Sequence, residues 1–312
     1  MVPSTSFGAD HAGEERPLTD LIDDGPQEGK ASFDGVYDQP DPCAYYTALG
    51  RLDYEIPAHG AEIFATLAEA RATRVGRSPK VLDVCCSYGV VPALMNHDVG
   101  LDELYDHYEL ADRLDLDRDE LLESDRLLLD DRQRDDAVTV VGLDAAANAV
   151  GYAVEAGILE RGYAEDLESA APSPELAEDL EDVDLIVVSG GVGYIGGATF
   201  DRLLGAADGP PPWVAALSLR WIDFAPVADR LADHGLVTEH VVEPSFRQRR
   251  FADDGERQAA LDRLAALGLD PTGKEADGWH HADLFVARPS AEVEALPAVE
   301  LLGVAEQATL LD

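Results

Sequence analysis

Three acidic residues and two runs of small residues stand where they can do chemistry together. The apolar run KVLDV leads into CCSYG, so Asp83 is followed by Cys85, Ser87 and Gly89 before a helical pattern begins near Val91. A tight turn of small residues between a buried strand and a helix lets backbone N–H groups approach a ligand closely. A second apolar run, AVTVVGLD, carries Asp144 at its tip with Ala145 next. An acid there can accept hydrogen bonds from both hydroxyls of a ribose. Asp166 follows a short apolar stretch in RGYAEDLE, where a carboxylate can take the exocyclic amine of an adenine. A further run, VDLIVVSGG, delivers Ser189, Gly190 and Gly191 to the same rim. The chemistry these residues suggest is the binding of a nucleoside.

The elements that position them alternate. KVLDVCC, AVTVVGLD, VDLIVVSGG, WVAALSLR, GLVTEHVVE and HHADLFVAR read as strands, and AANAVGYAVEAG, ATFDRLLGAA, APVADRLADHG and GERQAALDRLAALG as helices between them. This alternation predicts an α/β domain, a mostly parallel sheet wound on both sides by helices. From Tyr45 a helical segment, interrupted at Pro57, precedes the first of these strands. Residues of about 97–136 form an acidic helical insertion between the first two strands; leaving the carboxyl end of a strand, it is expected near the ligand crevice. Residues 1–40, rich in Gly, Pro and acid, read as a disordered acidic arm. The domain proper spans 41–290, and 291–312 read as a C-terminal tail.

Charge narrows the partners. Asp and Glu number 63 against 23 Lys and Arg, a formal net charge of -40, and Lys30, Lys80 and Lys274 are the only lysines. Such a field excludes a non-specific nucleic-acid binder or a partner for anionic membrane. The acids are spread through periodic segments, so they describe a whole surface. Acidic excess with little lysine resembles proteins of salt-accumulating halophiles, where a Debye length of about 3 Å in molar salt screens the self-repulsion. Cys43, Cys85 and Cys86 make no paired framework, and the N-terminus has no apolar signal core. A reducing cytoplasm is therefore expected. No run of 18 apolar residues appears, and no Cys or His cluster has zinc spacing, so neither a membrane span nor a metal is expected.

With these elements in this order, the chain resembles the class I S-adenosylmethionine-dependent methyltransferases over roughly residues 45–290. Their first motif is D-x-G-x-G-x-G, often VLDLGCGTG, and this chain has VLDVCCSYG; Cys85 and Ser87 replace two glycines and Gly89 is kept. Asp144 matches the ribose acid, Asp166 the adenine-side acid, and Ser189 through Tyr194 the loop after the fourth strand. The resemblance implies a seven-stranded, Rossmann-like doubly wound sheet with its last strand antiparallel. It also implies S-adenosyl-L-methionine as cofactor and methyl transfer to a small-molecule acceptor, with the N-terminal helical cap and the insertion closing the site. Asp83, Cys85, Ser87, Gly89, Asp144, Ala145, Asp166, Ser189, Gly190 and Gly191 are then the cofactor-binding candidates.

Two alternatives stay open. Cys85 and Ser87 are compatible with a cofactor-binding regulatory or assembly protein that transfers nothing. Gly191, Gly193 and Gly196 spell the G-x-G-x-x-G of an NAD-dependent oxidoreductase, although they follow a later strand rather than the first. On the acceptor side Tyr54, His59, Tyr88, Tyr194 and Trp221 are candidate pocket residues, each equally readable as packing. The run FRQRRF, containing Arg247, either grips an acidic substrate or neutralises nearby carboxylates, and His280 or His281 can supply a base or be a satisfied core histidine. The sequence names no catalytic residue, acceptor atom or oligomeric state.

Overall fold

The computed structural model describes residues 23–27, 30–32, 34–207, 209–304 and 308–311. A two-stranded hairpin, β1 (Asp23–Gln27) and β2 (Lys30–Ser32), is followed by α1 (Asp34–Tyr37), α2 (Cys43–Gly50) and the long α3 (Ile56–Val75). Pro57 sits in the first turn of α3, where its missing N–H costs no helical bond, and Gly76 closes the helix at φ 72°. Next come β3 (Lys80–Val84), α4 (Val90–Asn96), α5 (Leu101–Leu114), α6 (Arg118–Leu129), β4 (Thr139–Asp144) and α7 (Ala147–Glu155). They are followed by β5 (Arg161–Ala164), α8 (Pro174–Leu180), β6 (Leu185–Ser189), α9 (Gly197–Gly205), β7 (Trp213–Leu219) and α10 (Ala225–Asp233). The chain ends through β8 (Leu236–Arg250), α11 (Asp254–Leu267), β9 (Trp279–Pro289), α12 (Ser290–Ala295), α13 (Ala298–Leu301) and β10 (Ala308–Leu311).

The main sheet has the order β10-β8-β9-β7-β6-β3-β4-β5. Strands β5, β4, β3, β6 and β7 run parallel, and β9 enters antiparallel to both β7 and β8. Side chains alternate between two cores, as a sheet covered on both faces requires. On β6, Leu185 and Val187 face one core while Ile186 and Val188 face the other. Helices α3, α4 and α7 cover the first face, and α9 and α10 the second. Among the described residues no helix is long and apolar enough to cross a membrane.

Four expectations change. The sheet has eight strands rather than seven, because Ala308–Leu311 pairs antiparallel with β8 from Val241 to Thr238. Residues assigned to the tail thus extend the sheet, and Ala298 of α13 is fully buried. The arm ends earlier than residue 40: Val36 is buried in the core and Gln39 exchanges two hydrogen bonds with the Tyr88 hydroxyl, both at 2.9 Å. Residues 1–22 lie outside the described residues. The insertion, finally, contributes nothing to the candidate cavity. It buttresses the cap from behind, with Tyr108 of α5 stacked on Tyr46 at 4.1 Å and Tyr105 Oη donating to the Tyr54 carbonyl. Its polar anchor is the buried Asp125, which accepts from Tyr108, Tyr152 and His107.

Candidate active site

Strand order reverses at β3: the chain proceeds to β4 and β5 on one side and to β6 and β7 on the other. Open α/β sheets bind ligands outside the carboxyl ends of the strands at such a switch point. A cavity of about 390 Å³ lies there, of a size that suits a small molecule. Asp83, Cys85 and Ser87 line it at and beyond the end of β3, Asp144 and Ala145 at that of β4, Asp166 after β5, and Ser189, Gly190 and Gly191 at the end of β6. Nine of the ten cofactor-binding candidates therefore converge.

The tenth, Gly89, does not line the cavity. It caps α4 at φ 75°, and a Cβ there would stand 2.7 Å from Ile158. Its glycine is demanded by packing behind the turn. Cys85 and Ser87 keep the left-handed backbone that glycine usually occupies, with φ of 61° and 48°. This conformation costs an L-residue about 1–2 kcal/mol. Neighbouring glycines make room for the cysteines: a Cβ on Gly191 would lie 2.6 Å from Cys85 Sγ, and one on Gly142 would lie 2.7 Å from Cys86 Sγ.

The backbone donors of this turn point inward. The Cys85 N–H donates to the Leu143 carbonyl (2.7 Å), Ser87 N–H to Asp144 Oδ2 (2.9 Å) and Gly89 N–H to the Cys86 carbonyl (2.9 Å). Side-chain groups of the strand end and the turn are left over as well. Asp83 is 2% exposed and Ser87 6%, and neither Asp83 Oδ1 nor Ser87 Oγ has a hydrogen-bond partner. An orphaned buried polar atom costs about 1–3 kcal/mol, more for a charge. Both belong to residues of one cavity wall.

The cavity is acidic. Asp38, Asp83, Asp144, Glu165 and Asp166 line it, and none of the described lining residues is Lys, Arg or His. Burial, reinforced by the Asp144 carboxylate, holds the Asp83 carboxyl well above the ordinary range. Burial also raises Asp144, against the pull of N–H bonds from Ala146, Ser87 and Ala145. Asp166 is exposed, and its carboxylate accepts the Glu168 N–H. Glu165 is engaged by the N–H and hydroxyl of Ser173.

Of the acceptor-side candidates, Tyr54 and Tyr194 line the cavity, Tyr54 buried and Tyr194 41% exposed at its mouth. His59 turns instead toward Phe246 and Glu55. Tyr88 lies behind the turn, tied to Gln39. Trp221 donates to His280 Nδ1 in a separate core cluster. Arg247 lies over the Trp279 ring at 4.7 Å, Arg249 is buried in a bidentate pair with Glu256, and Arg250 meets Asp53. The basic run neutralises and stacks. Burial and then Arg220 push His281 down to about 4, and His280 is fully buried, so neither reaches the cavity as a base. Sequence reasoning missed Tyr37 and Asp38, which reach the cavity together with Tyr45 of the expected cap. Aromatic residues just before a helical pattern were the available signal.

The glycine run after β6 is differently employed. Gly196 caps α9, and Glu168 fills that helix N-terminus: its Oε1 accepts from Gly196 N–H (2.8 Å), Thr199 N–H (3.0 Å) and the Thr199 hydroxyl (2.7 Å). A protein carboxylate thus occupies the place where a dinucleotide diphosphate would need free donors.

No protein-family model matches the chain, and no curated protein matches it. Among solved structures, the chain is similar to the plantazolicin methyltransferase BpumL in complex with SAH, at 9% identity over 81% of this chain and 92% of that one, with a TM-score of 0.41. It is similar also to a TehB-like SAM-dependent methyltransferase from Corynebacterium glutamicum, at 15% identity over 79% and 98% of the two chains, TM-score 0.37. An O-methyltransferase of a trans-AT PKS multienzyme from Brevibacillus brevis, in complex with S-adenosyl-L-homocysteine, is 12% identical over 76% and 75%, TM-score 0.35. These likenesses are too distant to carry the function, which rests on the site.

Proposed function

We propose that this chain is a methyltransferase that uses S-adenosyl-L-methionine to methylate a small-molecule acceptor. The observation that carries the reading is the lining of the switch-point cavity: five carboxylates and no Lys, Arg or His among its described residues. A nucleoside bearing a sulfonium and an ammonium group suits that field, and a diphosphate does not. Asp144 holds the ribose hydroxyls, since a carboxylate has about four acceptor sites and the N–H groups bonded to it leave capacity over. Asp166 takes the adenine amine, and the orphaned Asp83 Oδ1 takes the ammonium group.

When bound, the cofactor supplies an electrophilic methyl group on a sulfonium that leaves readily. The protein's work is then orientation and exclusion of water. The cap supplies walls for the acceptor through Tyr37, Tyr45 and Tyr54. Burial holds all three phenols well above their ordinary pKa, so they act as neutral donors and surfaces rather than bases. Calorimetric titration with S-adenosylmethionine, its demethylated product and NAD, followed by labelled methyl transfer into a cell extract, tests the reading. Binding of the first two and a labelled product are expected. Tight NAD binding with no response to S-adenosylmethionine would overturn it, and cofactor binding without any labelled product would favour a non-catalytic binding protein.

The net charge of -40 supports a second element of the proposal, that the protein works at high ionic strength in a halophile's cytoplasm. A large fall in melting temperature is expected on dialysis from molar to about 0.1 M salt, where the Debye length grows to about 10 Å. Equal melting in both buffers would refute it.

A further inference from the structure

The cavity is built of two materials. Of its five lining carboxylates, Asp83, Asp144, Glu165 and Asp166 come from the ends of β3, β4 and β5, and Asp38 is bonded to Asn148 in the first turn of α7. The cap and the loop after β6 bring Tyr37, Tyr45, Tyr54, Pro57, Tyr194 and Ile195, four phenol rings and two aliphatic side chains. This wall is fixed in place: Tyr45 meets Tyr37 and Tyr88 edge to face, each at 5.5 Å between ring centres. An acceptor lying there touches ring faces while it sits in the field of the carboxylates opposite. An anionic acceptor would be desolvated in that field with no cation among the described lining residues to meet it. An acceptor that must shed a proton needs a base beside it, and the buried phenols of this wall hold their own protons.

We infer that the acceptor is an uncharged aromatic heterocycle whose ring nitrogen takes the methyl group, and that the tyrosine wall holds it both as a neutral ring and as the fixed cation it becomes. The inference rests on the S-adenosylmethionine reading and adds the substrate class to it. The nitrogen lone pair forms the bond to the methyl carbon while the carbon–sulfur bond breaks, its electron pair staying on sulfur as a neutral thioether. The positive charge passes from sulfur to the acceptor, and no proton is gained or lost. A cation is therefore present on both sides of the step, in a cavity whose carboxylates favour one throughout. Aromatic faces accept a flat neutral ring by stacking and a flat cation by cation–π attraction, so one wall serves acceptor and product.

Three flat probes of similar size test this by calorimetric titration into the protein saturated with S-adenosylhomocysteine: isoquinoline, N-methylisoquinolinium and naphthoate. The first two stand for acceptor and product and should bind. Naphthoate should bind roughly tenfold more weakly or not at all. Tyr194, exposed at the mouth, is the ring to change with least risk to the core. Tyr194→Phe should keep wild-type affinity for N-methylisoquinolinium, and Tyr194→Leu should lose about threefold, as for one ring face at an exposed site. Labelled methyl transferred into a cell extract should stay on a cation exchanger at about pH 12, where amines have lost their charge and a methylated ring nitrogen has not. Tighter binding of naphthoate than of the other two would overturn the inference, as would equal affinity in the Phe and Leu variants or a label that washes through at that pH. Failure of wild type to bind S-adenosylhomocysteine would instead sink the cofactor reading itself.

Discussion

Two rim segments lie side by side at the cavity, and each has the wrong glycines for its appearance. The turn after β3 has lost two of the three glycines of its motif, yet Cys85, Ser87 and Gly89 all adopt left-handed backbone, at φ 61°, 48° and 75°. The loop after β6 has every glycine of a dinucleotide fingerprint, yet the helix it opens is already capped by Glu168. What separates them is which polar groups are left over once the fold is made. The first leaves two buried side-chain atoms unpartnered, while the second gives its helix N–H groups to a neighbouring side chain. A glycine pattern reports backbone shape; the unspent hydrogen-bonding capacity identifies the binding wall.

The sharpest way to break this comparison is at Asp144, which bonds the turn through Ser87 and its own strand end through Ala146. Asp144→Ala should weaken S-adenosylmethionine binding on the order of a hundredfold, from two charge-assisted bonds lost at about 1.5 kcal/mol each. Asp144→Asn, which keeps one acceptor oxygen, should fall between the variant and wild type. Titration calorimetry measures both; unchanged affinity in Asp144→Ala would move the ribose elsewhere.

A smaller effect is expected from protons on Asp83. Its carboxyl is held well above the ordinary range by burial and by Asp144. In the ligand-free protein the folded state therefore holds this proton more tightly than the unfolded state. Its contribution to stability falls as pH rises from the ordinary carboxylate value toward the raised one. A cationic ligand favours the carboxylate, so binding should release a proton and tighten with pH by at most tenfold per unit across that window. Asp83→Asn should flatten the dependence. Titrations from about pH 5 to about pH 8 in buffers of different ionisation enthalpy would detect the proton, and identical slopes for wild type and variant would remove Asp83 from the ligand.

Much of this wall is legible in the sequence, because strand ends in a wound sheet all arrive at one edge. Asp144 and Ser189 each close an apolar run and Asp83 lies one residue short of the end of its own, and the chain has little freedom about where such residues go. Elements with weak periodicity are harder to see. Strand β5 is RGYA, four residues with a glycine and no β-branched side chain, and β10 is ATLL in an apparent tail. Both depend on a neighbouring strand for their conformation. Side-chain direction was also beyond reach: His59 and Pro57 sit two residues apart in α3, and only Pro57 meets the cavity. Tyr37 and Asp38 lay hidden in a segment whose composition reads as disordered.

The smallest effect should come from Glu168, and it tests the other side of the comparison. Its carboxylate is pulled below the ordinary value, despite partial burial, by the donors of Gly196 and Thr199. Glu168→Ala strips the cap from α9 and should cost about 1–2 kcal/mol, the usual penalty for a lost N-cap. In a protein of this size that corresponds to a fall of roughly 2–6 °C in melting temperature. Affinity for S-adenosylmethionine should change by less than about threefold, a few tenths of the free energy of one ligand hydrogen bond. The substitution also frees the very N–H groups that a dinucleotide diphosphate would use. If the loop after β6 were the cofactor-binding loop, the variant would gain NAD affinity while its response to S-adenosylmethionine stayed flat. Continued indifference to NAD, with the helix cap gone, would show that the glycines there serve the turn and the packing of α9.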